Sequence, residues 1–288
     1  MVNAAGSAAG DWTEGISATA VLTAKMRALE LESENPLVTD LAAAHLVAAS
    51  GLEMGAVSLS AMTGQRLFES NVVRTWWLDE QIGSVLYSAV QPRQVVILAA
   101  GLDSRVTRLS FPAGTTVFEI DLPQISMFKS TVFAEEPSIE LAATWRQVTA
   151  SITEPGWSDQ LVKAGFDRAE PTIWVAEGIL FYLSDAETSS VLSTVSGLSA
   201  SGSTLLVAHF GPGSRSDAQT REMNSTATQS GYGFQSVVED PASWLGDYGW
   251  TTDATTIARV AESLGRSIDY GEPERAGAEV TWLIRADR

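Results

Sequence analysis

From Gln91 onward, short apolar runs of strand length alternate with helical stretches, and this rhythm constrains the fold more than any other feature. Strands are predicted at Gln94–Ala100, Thr115–Asp121, Trp145–Ala150, Thr172–Glu177 and Thr204–His209. Helices are predicted between them at Ser104–Ser110, Leu122–Phe133, Trp157–Gly165 and Asp185–Ser199. Runs such as QVVILAA and TIWVAE are apolar throughout, as in strands buried on both faces. Strand and helix in alternation give a parallel sheet with right-handed crossovers, hence an α/β fold. Thr252–Ile257 and Glu279–Ala286 read as a closing strand pair, with no clear final helix between them. Before Gln91 the texture is helical, with Ser17–Glu32, Asp40–Ala49 and Asn71–Ala89 as the expected helices. The expected organisation is a flexible segment over 1–11, a helical cap over 12–90 and an α/β core over 91–288. The stretch 211–240 interrupts the core's rhythm as a polar, glycine-flanked insertion.

Charge and composition remove several function classes. The chain has 35 acidic and 18 basic residues, a net charge of −17. No Lys/Arg stripe is visible, so neither nucleic acid nor an anionic membrane surface is expected as a partner. Cysteine is absent, which excludes disulfides, thiolate nucleophiles and Cys-ligated metals. Two histidines, His45 and His209, are too few for a His-rich metal site, and no metal is expected. Apolar runs fall well short of the roughly 20 residues that a bilayer requires. The opening residues lack a basic stretch followed by an apolar one, so a cytoplasmic protein is expected.

In an open α/β sheet the ligand crevice lies at the carboxyl ends of the strands. The turn after the first strand reads Ala99-Ala100-Gly101-Leu102-Asp103-Ser104. Gly101 permits close backbone approach, and the following helix start offers N–H groups. Asp121 ends the second strand, where a carboxylate can accept hydrogen bonds from ribose hydroxyls. These features suggest an adenosine-containing cofactor. The G-x-G-x-x-G and G-x-x-x-x-G-K-[ST] patterns are both missing, so dinucleotides and nucleoside triphosphates fit poorly. S-adenosyl-L-methionine fits better, because it has a nucleoside but no phosphate. Its carboxylate calls for an arginine, with Arg74 and Arg105 as candidates.

The stretch 94–129, with Gly101, Asp103, Ser104, Arg105, Arg108, Leu109, Glu119, Asp121, Pro123 and Lys129, closely resembles the leucine carboxyl methyltransferase-like family of S-adenosylmethionine-dependent O-methyltransferases. AEGILFYLS (176–184) is similar to a second block of that family, and weaker matches run from about residue 17 to WLGDYGW (244–250). The resemblance implies a Rossmann-like class I methyltransferase fold, with a mostly parallel seven-stranded sheet and a lid formed by the N-terminal helices and the 211–240 insertion. It implies cofactor-binding roles for Arg74, Ala99, Gly101, Asp121, Leu122, Ser151, Ile152 and Glu177. Ser151-Ile152 stand where the family usually has Asp-Leu beside the adenine, which weakens that contact. It also implies a role in secondary metabolism for the bacterial small-molecule branch.

The expected reaction is methyl transfer to an oxygen by in-line displacement, with a carboxylate of a small molecule or peptide C-terminus favoured. A carboxylate is ionised at neutral pH and needs no base, whereas a phenol or enol would gain from one. A phenol or enol acceptor on a polyketide-like product is the alternative, and a non-catalytic cofactor-binding scaffold is the alternative of another class. His209, expected to face the crevice from the end of the fifth strand, is the candidate base, and Tyr182 is the second candidate catalytic residue. Trp76, Trp77, Tyr232, Phe234 and Trp244 are candidate linings of an apolar pocket. The sequence leaves the oligomeric state open.

Overall fold

A computed structural model describes residues 16–51, 61–229, 233–268 and 281–288. The segment 1–11, expected to be flexible, and Tyr232 lie outside the described residues. Three helices come first: α1 (Ile16–Glu30), α2 (Leu41–Ser50) and α3 (Ala61–Leu86). Asp40 caps α2 by accepting from the Ala43 N–H at 2.9 Å. α3 begins ten residues earlier than predicted, at Ala61 rather than Asn71, because MTGQRLFES carries no breaker beyond one tolerated glycine.

The sheet follows, with strands β1 (Gln94–Leu98), β2 (Thr116–Asp121), β3 (Thr144–Thr149), β4 (Thr172–Glu177), β5 (Thr204–Phe210), β6 (Thr251–Thr256) and β7 (Thr281–Asp287). Their order is β3-β2-β1-β4-β5-β7-β6. β1 to β5 pair in parallel, and β7 runs antiparallel between β5 and β6. The crossover helices are α4 (Arg105–Arg108), α5 (Pro123–Glu135), α6 (Trp157–Lys163) and α7 (Asp185–Leu198). β5 is followed by a 3₁₀ turn, then α8 (Ala218–Gln229) and α9 (Pro241–Gly246).

Two predictions are corrected here. A final helix, α10 (Ile257–Ser263), follows β6, its N-cap being the Thr256 side chain, which accepts from the Arg259 N–H. β1 stops at Leu98 rather than Ala100, because Ala99 turns into the left-handed region at φ 48°.

The period-2 alternation of the strands divides the core in two. Val95 and Ile97 face one side, packed with Val117, Ile173, Val175 and the cap residues Val21, Leu46, Val73 and Leu78. Val96 and Leu98 face the other, packed with Phe118, Trp174, Leu161 and Val191. The cap helices therefore bury their apolar faces directly on the sheet. No helix among the described residues is long and apolar enough to cross a membrane.

Candidate functional site

Strand order reverses between β1 and β4, and a cavity of about 320 Å³ opens at the carboxyl ends of these strands. Each of β1 to β4 delivers a predicted residue to its wall: Ala99 and Gly101 after β1, Asp121 and Leu122 at β2, Ser151 and Ile152 beyond β3, and Glu177 at β4. Arg74 reaches the same wall from α3, and Tyr182 reaches it from a short 3₁₀ turn after β4.

The β1 turn explains why this position carries a glycine. Gly101 sits at φ +54°, and a Cβ there would lie 3.3 Å from the Ala20 Cβ of α1. Its N–H donates to Asp121 Oδ2 at 2.5 Å, and the Leu122 N–H donates to Oδ1 at 2.7 Å. Each carboxylate oxygen has a further lone pair to offer a hydroxyl. Burial raises the Asp121 pKa, and the bonds from Gly101 and Leu122 oppose that rise without cancelling it. Ile97, Ile120, Leu122, Ile125 and Ile152 supply apolar wall. The Ser151 hydroxyl lies 2.9 Å from that of Thr153.

The charged side of the cavity is anchored in a buried network. Arg74 Nε donates to Glu177 Oε1 at 2.7 Å, and Arg105 Nη2 donates to Oε2 at 2.8 Å. Arg105, 2% exposed, also pairs with Asp79 and Asp103. Asp79 holds Arg108, which approaches Asp40, and Asp40 pairs with Arg27. Four arginines and four carboxylates thus form one neutral chain from α1 to β4. Burial alone would raise the Glu177 pKa, but Arg105 and Arg74 outweigh it and hold the carboxyl far below its ordinary range. Arg105 spends its fork on three carboxylates, so Arg74 is the better placed of the two candidates to meet a ligand carboxylate. Among the described residues no acceptor other than Glu177 engages the Arg74 guanidinium.

A second cavity of about 220 Å³ adjoins the first. The two share Thr19, Thr23, Arg74, Gly178 and Tyr182 as wall. The second is mostly apolar, with Leu22, Met26, Leu67, Phe181, Phe210 and Phe234 among its linings. α8 closes one side through Thr220, Met223 and Ala227, and is tied to α3 by the Arg66–Asp217 ion pair beside Thr220. Of the expected aromatic linings, Phe234 is here, Trp77 is buried in the core, Trp76 packs against that core, and Trp244 lies elsewhere. Tyr182 is hydrogen-bonded to the Thr19 side chain, and burial raises its pKa, so its hydroxyl stays protonated at neutral pH.

His209 does not face this crevice, contrary to the sequence expectation. Ala208 and Phe210 line the second cavity, so the period of 2 sends His209 to the opposite face of the sheet. There it is 1% exposed beside Trp244 and Phe181, and lines a separate cavity of about 470 Å³. Its Nδ1 donates to the Phe210 carbonyl at 3.0 Å, leaving Nε2 to accept from the Ser236 hydroxyl at 3.4 Å. Burial pushes its pKa down to about 4, so the ring is neutral at pH 7.

The sequence reading missed Asp40, Asp79 and Arg27, the cap members of the network. Arg27 and Asp79 stand on helices that bury other polar residues, Glu30, Asn71 and Thr75 among them, so nothing local singles them out. Glu119 and Lys129 of the predicted signature pair with each other at 2.6 Å inside the core, away from both cavities.

Comparison with known proteins bears on the family and the fold. Residues 20–196 match the family model described as leucine carboxyl methyltransferase. A protein of Mycobacteroides abscessus, provisionally named an S-adenosyl-L-methionine-dependent methyltransferase, is 35% identical over 93% of this chain and 93% of its own length. A Frankia alni protein named in the same way is 34% identical over 88% of this chain and 89% of its own. A crystal structure from Thermobifida fusca, provisionally described as a methyltransferase, superimposes with TM-score 0.63 at 16% identity, covering 97% of each chain. At that identity it supports the fold alone.

Proposed function

The chain belongs to the leucine carboxyl methyltransferase family, and on that footing we propose that this S-adenosyl-L-methionine-dependent methyltransferase acts on oxygen, with a carboxylate as the favoured acceptor. The cofactor fits the first cavity on the chain's own terms. Gly101 gives a close backbone approach, Asp121 offers a buried carboxylate to the ribose, and Arg74 offers a guanidinium to the amino-acid end. The isoleucines and Leu122 give the adenine an apolar slot, with Ser151 as the polar group at its edge. When bound, the cofactor supplies a methyl group on a sulfonium, a leaving group that needs no activation.

The second cavity is then the acceptor site, and its shared wall carries the reading. Among the described residues, that wall holds no group able to take a proton at neutral pH. Tyr182 is kept protonated, and His209 lies across the sheet. Glu177, at the neighbouring edge of the first cavity, is too weak a base between its two arginines. An acceptor that arrives already ionised needs none of them. A phenol, with a pKa of about 10, would forgo the roughly 10²–10⁴-fold that general-base catalysis offers. In this reading the Tyr182 hydroxyl donates to the acceptor oxygen and orients it, and the apolar linings exclude water. α8 with the cap helices serves as the lid over the site.

The test is a panel of carboxylic acids and phenols, each incubated with the protein and the methyl donor. Products that gain one CH₂ and lose it on mild base treatment are methyl esters, which is the expected outcome. Base-stable ethers formed from the phenols alone would replace this reading with the phenol alternative.

A further inference from the structure

Among the described residues, nine buried side-chain polar atoms have no hydrogen-bond partner, and Asn71 Oδ1 belongs to the one residue of that group that lines either of the two joined cavities. Asn71 is 1% exposed and stands on α3, three residues before Arg74, so the two share one helix face. Arg66, Leu67 and Ser70 line the same cavity from the same helix. A buried carbonyl oxygen without a donor costs about 1–3 kcal/mol. A leucine at this position would fill similar space without that cost, in a cavity that Leu67, Phe181 and Phe210 already line with apolar surface.

We propose that Asn71 accepts a hydrogen bond from the methyl acceptor itself, which makes the acceptor a carboxylic acid with an apolar body and a hydroxyl or N–H donor near the carboxylate. The inference rests on the reading of the second cavity as the acceptor site. The geometry gives each part of such a molecule a place. The apolar body meets Leu22, Met26, Phe210 and Phe234. The carboxylate lies toward the shared wall at Arg74 and Tyr182, and the donor group lies one helical turn back along α3 at Asn71. A site with a buried acceptor atom discriminates strongly against an analogue that leaves the atom unpaired.

The experiment compares methyl ester formation from 3-phenyllactate and N-acetylphenylalanine, each carrying a donor, with that from 3-phenylpropionate, which carries none. The wild-type protein is expected to favour at least one donor-bearing acid by about tenfold or more in kcat/KM. Asn71→Leu should abolish that preference while leaving S-adenosylhomocysteine affinity and the melting temperature at or above the wild-type values. A merely structural asparagine would lower the melting temperature on replacement and leave the preference intact. Equal kcat/KM for all three acids in the wild type, which needs no variant, overturns this inference and leaves the carboxylate reading standing. A preference that survives Asn71→Leu overturns it as well. No ester from any of the three acids, with ethers formed from phenols, removes the carboxylate reading and this inference with it.

Discussion

The two joined cavities share a stretch of wall but are built from opposite materials. The first is edged by charge: Asp121 on one side, Arg74 and Glu177 on the other, the latter anchored to a chain of buried ion pairs that runs back to α1. The second is mostly hydrocarbon, with Asn71, whose amide oxygen is unpartnered, on its wall beside two arginines already paired with carboxylates, Arg66 with Asp217 and Arg74 with Glu177. The difference follows from what each must hold. A charged nucleoside needs fixed partners whose own desolvation is already compensated, and the neutral network provides them in advance. An acceptor that arrives ionised needs a dry, shaped space and a few orienting groups. The wall in common, with Arg74 and Tyr182, is where the two chemistries meet.

The strongest way to break this comparison is to cut the network. Arg105→Ala leaves Asp79, Asp103 and Glu177 short of a partner, all largely buried, and is expected to destabilise the protein by about 3–5 kcal/mol in urea unfolding. A loss below about 1 kcal/mol would mean that the cap does not depend on its ion pairs. His209→Gln separates the sheet's two faces. The folded pKa of His209, about 4, lies below its ordinary 6.5, so its contribution to stability is complete above pH 6.5 and is lost as pH falls through 4. The variant should therefore flatten the acid limb of the stability profile by roughly 3 kcal/mol, while ester formation stays within about twofold of wild type. A drop of about a hundredfold in rate would restore the histidine as a base.

Asp121→Asn sharpens the description of the first cavity. It should weaken S-adenosylhomocysteine binding by about ten- to a hundredfold in calorimetry, the value of a charged hydrogen-bond acceptor. Because burial raises the Asp121 pKa, wild-type affinity should fall as pH drops through that raised value, and the variant should lose this dependence. In the ligand-free protein the sign is reversed: a raised carboxyl pKa favours the folded state at low pH, and that contribution is lost as pH rises. The smallest effect is expected at the β1 turn. Ala99 holds φ 48° with a Cβ, so Ala99→Gly should stabilise the fold by no more than about 1 kcal/mol, the relieved strain being partly offset by glycine's entropy.

Much of the site could be read from the chain because it lies where strands end. An apolar run stops, a glycine or acid follows, and the parallel topology brings those ends together. Gly101, Asp121, Ser151 and Glu177 were found in this way, or through the resemblance, and all line one cavity. The ion network could not be read. Arg74 and Glu177 are 103 residues apart, and nothing local in either segment specifies the other. His209 failed for a subtler reason. The period of 2 makes Ala208 and His209 face opposite ways, but the sequence does not say which face the cap helices will cover.

The sequence by itself determined the strand–helix order, the parallel sheet with a closing strand pair, and the turn chemistry that opens a nucleoside site, because these depend on local periodicity and on single residues such as Gly101. Only the tertiary structure decided which face of β5 lines the acceptor cavity, which arginine is tied up among carboxylates and which meets the ligand, and which polar atom is left on the wall without a donor. Those outcomes depend on burial and on distances between segments far apart in the chain, and packing sets them after the local elements have formed.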